Sequence, residues 1–173
     1  MTYAQRPLLF HNLRNGKFEE IATRAGAALN RRYVARGAAA ADFMNNGHQD
    51  LLMTELDGSP VLLENQGTKS GHWLRIRAIG SKSNRDGFGA QVEIKAAESA
   101  QRSEVRANSS FESASDPRLH FGLGSATRVD SISVRWPSGK VETLGPEGAD
   151  QELTLREGRG VTGREPVPSA ARR

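Results

Sequence analysis

The alternation of apolar and polar residues in the second half of the chain is the feature that most constrains its fold. Four runs place an apolar residue at every second position: Leu74, Ile76 and Ala78; Val92, Ile94 and Ala96; Leu119, Phe121 and Leu123; Ile132, Val134 and Trp136. Successive side chains of a strand point to opposite faces, so each run predicts one buried and one solvated face. Short strands at this spacing are typical of an antiparallel β-sandwich or a partly open barrel.

Glycine-containing segments predict the turns between these strands. Residues 136–139 read Trp-Pro-Ser-Gly, which fits a type I turn and predicts a return strand at 141–144. A last strand is predicted at 152–155. Residues 84–89 lack the lysine of a phosphate-binding loop and predict a hairpin turn, with Gly87 or Gly89 at positive φ.

The first part of the chain contains shorter apolar runs, which glycine and asparagine separate. These runs predict strands at 8–10, 18–21, 36–43, 50–54 and 61–63. Residues 21–28 fit either one helical turn or a loop. Residues 8–12 (LLFHN) resemble residues 61–65 (VLLEN), a repeat at a spacing of about 50 residues, as in propeller blades.

Composition and charge exclude several classes of site. The chain has no cysteine, so disulfides, thiolate metal sites and cysteine nucleophiles are absent. The net charge is +4, but the segment from Arg156 to Arg173 carries five arginines and two glutamates. We therefore predict a disordered basic tail at 157–173 and no nucleic-acid partner. No apolar run is long enough to predict a membrane span, and the N-terminal residues show no signal peptide.

Residues 42–50 (DFMNNGHQD) resemble a calcium loop of the D-x-D-x-D-G type. Asp42, Asn46, the His48 carbonyl and Asp50 stand at ligand positions, with Gly47 at the sharp turn. Met44 replaces a charged ligand, which weakens a site for a hard cation. The sequence thus predicts a weak calcium site. The alternative is a degenerate loop, in which aspartate and asparagine side chains bind their own backbone.

Polar residues of the second region allow two interpretations. Ser115, Asp116 and His120 are the residue types of a hydrolase triad, but they lie too close in sequence to assemble one readily. A structural role is favoured, with Asp116 initiating a turn and pairing with an arginine. The other interpretation is a ligand site for a sugar or a carboxylate at one end of the sandwich. Its candidate residues are Asn84, Arg85, Asp86, Asp116, Arg118 and His120.

These segments resemble two known families. Residues 37–51, together with LFHN at 9–12 and GKF at 16–18, resemble the FG-GAP (VCBS-type) repeat of integrin-type propellers. Residues 71–144 resemble the ASPIC/UnbV domain, which is also found in cartilage acidic protein. The motifs that carry this second resemblance are GHWL at 71–74, SNRD at 83–86, GA at 89–90, SDPRLHFGLG at 115–124 and VRWPSG at 134–139.

The resemblance implies an exported, extracellular or periplasmic protein with further propeller blades upstream. The expected organisation is one propeller-like blade at 1–66, a C-terminal remnant of the propeller, and an ASPIC/UnbV-like β-domain at 71–156. The expected function is a non-catalytic binding or interaction module, a fragment of a larger repeat protein, with a protein or carbohydrate surface as partner. The alternative is an accessory protein or enzyme of a biosynthetic or hydrolytic pathway, with a polar site at Asp86, Asp116 and His120.

Overall fold

The computed structural model describes residues 3–67 and 71–166. Most of these residues form short strands, because the runs in which apolar and polar residues alternate are separated by turn-forming glycines. The chain is all-β, as predicted. The only helices among the described residues are two short ones in the N-terminal part, so none has the length and hydrophobicity to cross a bilayer.

The N-terminal part forms a hairpin and a three-stranded sheet. Its elements are β1 (Phe10–Asn12), β2 (Phe18–Glu20), α1 (Ala22–Ala25), a 3-10 helix (Ala27–Asn30), β3 (Ala35–Ala41), β4 (Asp50–Glu55) and β5 (Val61–Leu63). Strands β1 and β2 pair with each other, and β3, β4 and β5 form an antiparallel sheet in chain order. This three-stranded unit is called the N-terminal sheet below.

The second part contains two four-stranded sheets and one small strand pair. Its strands are β6 (His72–Ile79), β7 (Gln91–Ala96), β8 (Ser99–Glu104), β9 (Leu119–Gly124), β10 (Arg128–Val129), β11 (Ser131–Arg135), β12 (Val141–Leu144), β13 (Glu147–Gly148), β14 (Gln151–Arg156) and β15 (Gly160–Pro166). One sheet has the order β12-β11-β7-β8 and is antiparallel throughout. The other, called the β6 sheet below, has the order β15-β14-β6-β9.

One hydrophobic core lies between the two four-stranded sheets. The alternating apolar residues of β6, β7, β9 and β11 all belong to it, as do Leu153 and Leu155 of β14. Leu74, Ile76 and Ile132 have no solvent-exposed area. Burying a large aliphatic side chain contributes about 1.5–3 kcal/mol, so this cluster is the main favourable term of the fold. The buried faces predicted from the alternation are confirmed.

The structure corrects one local prediction about turns and supports another. Residues 84–89 do not form a hairpin, because β6 pairs with β9 and β14, whereas β7 pairs with β8 and β11. The segment instead carries the chain from one sheet to the other. The positive φ predicted there is present, at 67° for Gly87 and 87° for Gly89. The type I turn at 136–139 is supported by a hydrogen bond of 2.9 Å from the Gly139 amide to the Trp136 carbonyl.

The prediction of a disordered tail from residue 157 is wrong for residues 157–166. Strand β15 pairs with β14 along its length, and Val161 packs against the core. Glycine, proline and arginine content suggested disorder, but the backbone ladder to β14 does not depend on side-chain type. Residues 167–173 lie outside the described residues.

The N-terminal sheet packs on the outer face of the β6 sheet. The Ala40 amide donates to Ser115 Oγ over 3.1 Å, and the Asp116 amide donates to the Ala40 carbonyl over 2.9 Å. Gly47 lies directly against the indole of Trp73, since a Cβ added to Gly47 would stand 2.1 Å from Nε1. The contact therefore depends on a residue without a side chain at position 47.

Substitution Gly47→Ala tests this contact. Gly47 has a φ of 87° and Gly139 a φ of 88°, but a Cβ at Gly139 meets no atom within 4 Å. Strain at positive φ costs about 1 kcal/mol at either position. We expect Gly47→Ala to lower the melting temperature clearly more than Gly139→Ala and to shift the tryptophan fluorescence. Equal effects of the two variants would show that the indole is not in contact with Gly47.

Candidate functional site

The predicted calcium loop is closed by hydrogen bonds to its own backbone. Asp42 is 2 % exposed and accepts hydrogen bonds from the amides of Asn46 at 2.9 Å and Gly47 at 2.8 Å. Asn46 Oδ1 accepts from the His48 amide. Asp50 accepts from the amide of Phe43 and from the amide of Asn65, which follows β5. Both carboxylates thus stabilise a tight turn between β3 and β4, as the alternative interpretation of this loop predicted.

A buried guanidinium lies against this loop. Arg75 of β6 is 3 % exposed and donates to Asp42 Oδ2 and to Glu152 Oε2, both over 2.8 Å. Its third contact is Asn45 Oδ1, at 3.1 Å. Its guanidinium also lies over the ring of Trp73, 5.7 Å from the centroid. A positive charge of the protein therefore already balances Asp42.

The weak calcium site stays a prediction, and this geometry gives it a direct test. Every carboxylate oxygen of Asp42 and Asp50 accepts a hydrogen bond, and within residues 3–67 and 71–166 no group of three metal-ligating side chains converges. If the loop is held by these hydrogen bonds alone, millimolar calcium leaves the melting temperature unchanged. A saturable rise that follows RT ln(1 + [L]/Kd) and is lost in Asp50→Asn would establish the site.

An ionic cluster continues from Arg75 along the outer face of the β6 sheet. Arg118 donates to both carboxylate oxygens of Asp116 and, over 3.0 Å, to Glu152 Oε2. Glu152 thus bridges the two arginines. Burial raises the pKa of Asp116, but the hydrogen bonds and charge of Arg118 outweigh it and lower that pKa. The ionic cluster comprises Asp42, Arg75, Asp116, Arg118 and Glu152.

His120 lies beside the ionic cluster without joining it. Its ring stacks on Trp73, with centroids 5.7 Å apart, and its Nδ1 is buried without a hydrogen-bond partner among the described residues. Burial lowers the pKa of His120, the negative charge of Asp42 opposes this, and the positive charge of Arg75 adds to it. The neutral ring is therefore favoured. No hydrogen bond joins His120 to Ser115 or Asp116 in the described chain, so the triad geometry is not formed.

Five of the six candidate ligand residues line two neighbouring depressions, and the sixth, Asn84, binds only its own loop. Asn84 exchanges two hydrogen bonds of 2.8 Å with the backbone of Phe88, which fixes the connection between β6 and β7. Asp116, Arg118 and His120 line an open depression of about 240 Å³. Arg85 and Asp86, again with Arg118, line a larger one.

The larger depression is an open cleft of about 500 Å³ on the second part of the chain. Arginines from four segments line it: Arg77 on β6, Arg85 in the loop after β6, Arg118 before β9, and Arg156 at the end of β14. Asp86 is the one acidic residue in this lining. The cleft is called the arginine cleft below. Arg77 and Arg156 were not predicted from the sequence, because β6 and β14 are distant in the chain and pair only in the fold.

The buried carboxylate of Glu157 was not predicted from the sequence either. Glu157 is 2 % exposed, and its Oε2 accepts from the amides of Ser81, Lys82 and Ser83 at 2.7–2.8 Å. Ser138 donates to its other oxygen. Burial is the largest effect and raises the pKa of Glu157, but these donors together lower it to about 2. The carboxylate therefore closes the loop at 80–84 against the 136–139 turn.

The match to a known protein family lies in this second part of the chain. Residues 80–162 match the family model described as ASPIC and UnbV. The ASPIC/UnbV match extends from the loop after β6 into β15. It therefore includes Glu157 and three of the four arginines of the cleft. The predicted ASPIC/UnbV domain is confirmed for this segment, whereas the propeller repeat remains a prediction. None of the curated proteins compared with the chain matches it.

Proposed function

We propose that this chain is a non-catalytic binding module, in which an FG-GAP-type blade packs on an ASPIC/UnbV β-sandwich. The observation that carries the proposal is the ionic cluster. Asp116, the best placed acidic candidate for chemistry, accepts four hydrogen bonds from Arg118, one of them from the backbone amide. General acid–base catalysis needs a group that can exchange a proton with a substrate at the working pH. A carboxylate held ionised by an arginine serves structure instead.

The exposed apolar side chains of the N-terminal part support a place within a larger repeat protein. Leu8, Phe10 and Phe18 are 62 %, 55 % and 64 % exposed. Repeat units bury such surface against neighbouring units, and isolated ones lack that partner. The proposal therefore includes preceding propeller blades and, by resemblance, an extracellular or periplasmic location. A protein or carbohydrate surface is the proposed partner class.

His120 supports a second candidate function. Its neutral ring, with an unpartnered Nδ1, lines the 240 Å³ depression together with Asp116. A neutral imidazole in a depression has the form of a general base. The alternative is therefore an enzyme or accessory protein that acts on a substrate in this depression.

One experiment separates the two functions. The purified chain is incubated with panels of esters, glycosides and oligosaccharides, and mass spectrometry measures both retained ligand and released product. The proposed module retains ligand and releases no product. Release of product that is lost in both Asp116→Asn and His120→Ala, with Glu98→Gln as control, would establish the enzyme. Glu98 is exposed in the turn between β7 and β8 and lines neither depression.

A further inference from the structure

The arginine cleft concentrates positive charge that the fold does not use. Arg77, Arg85 and Arg156 are exposed, and none of them has a carboxylate within ion-pair distance among the described residues. By contrast, Arg118, the fourth arginine of the cleft, and the buried Arg75 of β6 are both paired with acidic residues. Like charges in one cleft repel each other, so this arrangement does not stabilise the empty protein.

The guanidinium group selects the type of ligand. Its planar array of donors matches carboxylate, sulfate and phosphate oxygens in pairs, so arginine is frequent where planar acidic groups are recognised. Several such groups around one cleft require a ligand with more than one negative charge. A volume of about 500 Å³ is within the range of sites for small molecules and short oligomers.

The remaining lining residues restrict the chemical class of the ligand further. The carboxylate of Asp86 repels a ligand that carries only anionic groups. The same carboxylate accepts hydrogen bonds from hydroxyl groups. Phe88 and Pro117 present apolar surface beside it. The guanidinium groups suit acidic groups, the Asp86 carboxylate suits hydroxyl groups, and the apolar surface suits the face of a sugar ring. Together they fit a sugar that carries acidic groups.

We propose that the arginine cleft binds an acidic oligosaccharide, with Arg77, Arg85 and Arg156 on its carboxylate or sulfate groups and Asp86 on its hydroxyl groups. This inference rests on the binding function proposed above and names the ligand class. Arg118 shares its charge with Asp116 and Glu152 and closes one side of the cleft.

A neighbouring depression of about 330 Å³ shares Arg77 and Arg118 with the arginine cleft, and Arg75, Glu152 and Glu165 also line it. Arg75 and Arg118 both pair with Glu152 there, so Arg77 is the one arginine of this lining without an ion pair among the described residues. The unpaired arginines that a short acidic oligosaccharide would contact therefore lie in the arginine cleft.

Isothermal titration calorimetry of the full chain tests the proposal with four probes. Trigalacturonic acid carries carboxylates, a sulfated disaccharide carries sulfates, galactotriose is a neutral sugar, and inositol hexakisphosphate is a phosphorylated ligand outside this sugar class. We expect the first two to bind in a salt-dependent manner and galactotriose not to bind. Whichever acidic sugar binds more tightly identifies the acidic group.

Paired variants locate the binding. Each hydrogen-bonded charge contributes about tenfold or more in affinity, so Arg77→Ala/Arg156→Ala is expected to weaken binding by about 100-fold. The lysine pair Arg77→Lys/Arg156→Lys keeps the charge but loses the paired donors, and an intermediate loss is expected. The control pair Arg32→Ala/Arg135→Ala removes two exposed arginines outside the cleft and leaves affinity unchanged. Melting temperatures confirm that all variants fold.

Three outcomes would overturn the proposal. One is the absence of binding of either acidic sugar at about 10 mM, a concentration that detects even millimolar dissociation constants. Another is an equal loss of affinity in the control pair, and the third is binding of inositol hexakisphosphate alone. Failure of the non-catalytic function is a separate result, because it appears as product release in the mass spectrometry experiment.

Discussion

Replacement of Arg75 by methionine is expected to lower the melting temperature by about 10 °C, from a loss of about 3–5 kcal/mol in the free energy of unfolding. Arg75 is the buried cation between Asp42 and Glu152, whose side chains are 0 % and 8 % exposed. Methionine keeps much of the packing volume but leaves both carboxylates without that charge. Thermal unfolding followed by circular dichroism measures the effect.

Further variants separate lost charge pairing from lost packing. Arg135→Met, at an exposed arginine of β11, is the matched control and is expected to change stability by less than about 0.5 kcal/mol. Adding Asp42→Asn and Glu152→Gln to Arg75→Met removes the unpaired charges and is expected to recover part of the loss. If Arg75→Met melts like the unmodified protein, the ionic cluster does not join the two parts of the chain.

Substitution Glu157→Gln is expected to cost about 3 kcal/mol at neutral pH. Glutamine keeps one acceptor oxygen but replaces the other with an NH2 group, which cannot accept the hydrogen bonds that surround it. A buried donor without an acceptor costs about 1–3 kcal/mol of stability. The affected donors are the amides of Ser81, Lys82 and Ser83. Chemical denaturation measures the loss, with the exposed Glu98→Gln as control.

The same variant has a specific pH dependence. The pKa of Glu157 is lowered from 4.5 to about 2 in the folded protein, so its contribution is fully present above about pH 4.5. The contribution declines as the pH falls through that window and is lost below about pH 2. The stability difference between the unmodified protein and Glu157→Gln should therefore shrink from pH 4.5 to pH 2. A constant difference over this range would show that Glu157 is not the titrating group.

The alternation rule predicted the core well because it depends on local sequence alone. Strands β6, β7, β9 and β11 lie where apolar residues recur at every second position, and their predicted faces are the buried ones. Strand β8 (SAQRSE) was missed because it carries almost no apolar residue. It is ordered by its ladder to β7, a partner that composition does not reveal.

The site was less predictable because its residues meet only through long-range pairing. Arg75 stands at a polar position of the alternating run in β6, so the pattern placed it on the solvated face. In the fold it is buried, because its carboxylate partners come from positions 42 and 152. Glu157 was assigned to a tail, because the amides that surround it belong to a loop 74–76 residues earlier. By contrast, the bonds of Asp116 to Arg118 span only two residues, and the pairing of Asp116 with an arginine was predicted from the sequence.

The parallel pairing of β6 with β14 has a consequence for synthesis on the ribosome. Residues 74–79 gain this neighbour only when residues 151–156 are available, about eighty positions later in translation. Until then one border of β6 presents unpaired amides and carbonyls, which invite association with other nascent chains. Nascent chains on densely loaded polysomes should therefore aggregate during translation. A chaperone that covers exposed strand edges should reduce this aggregation.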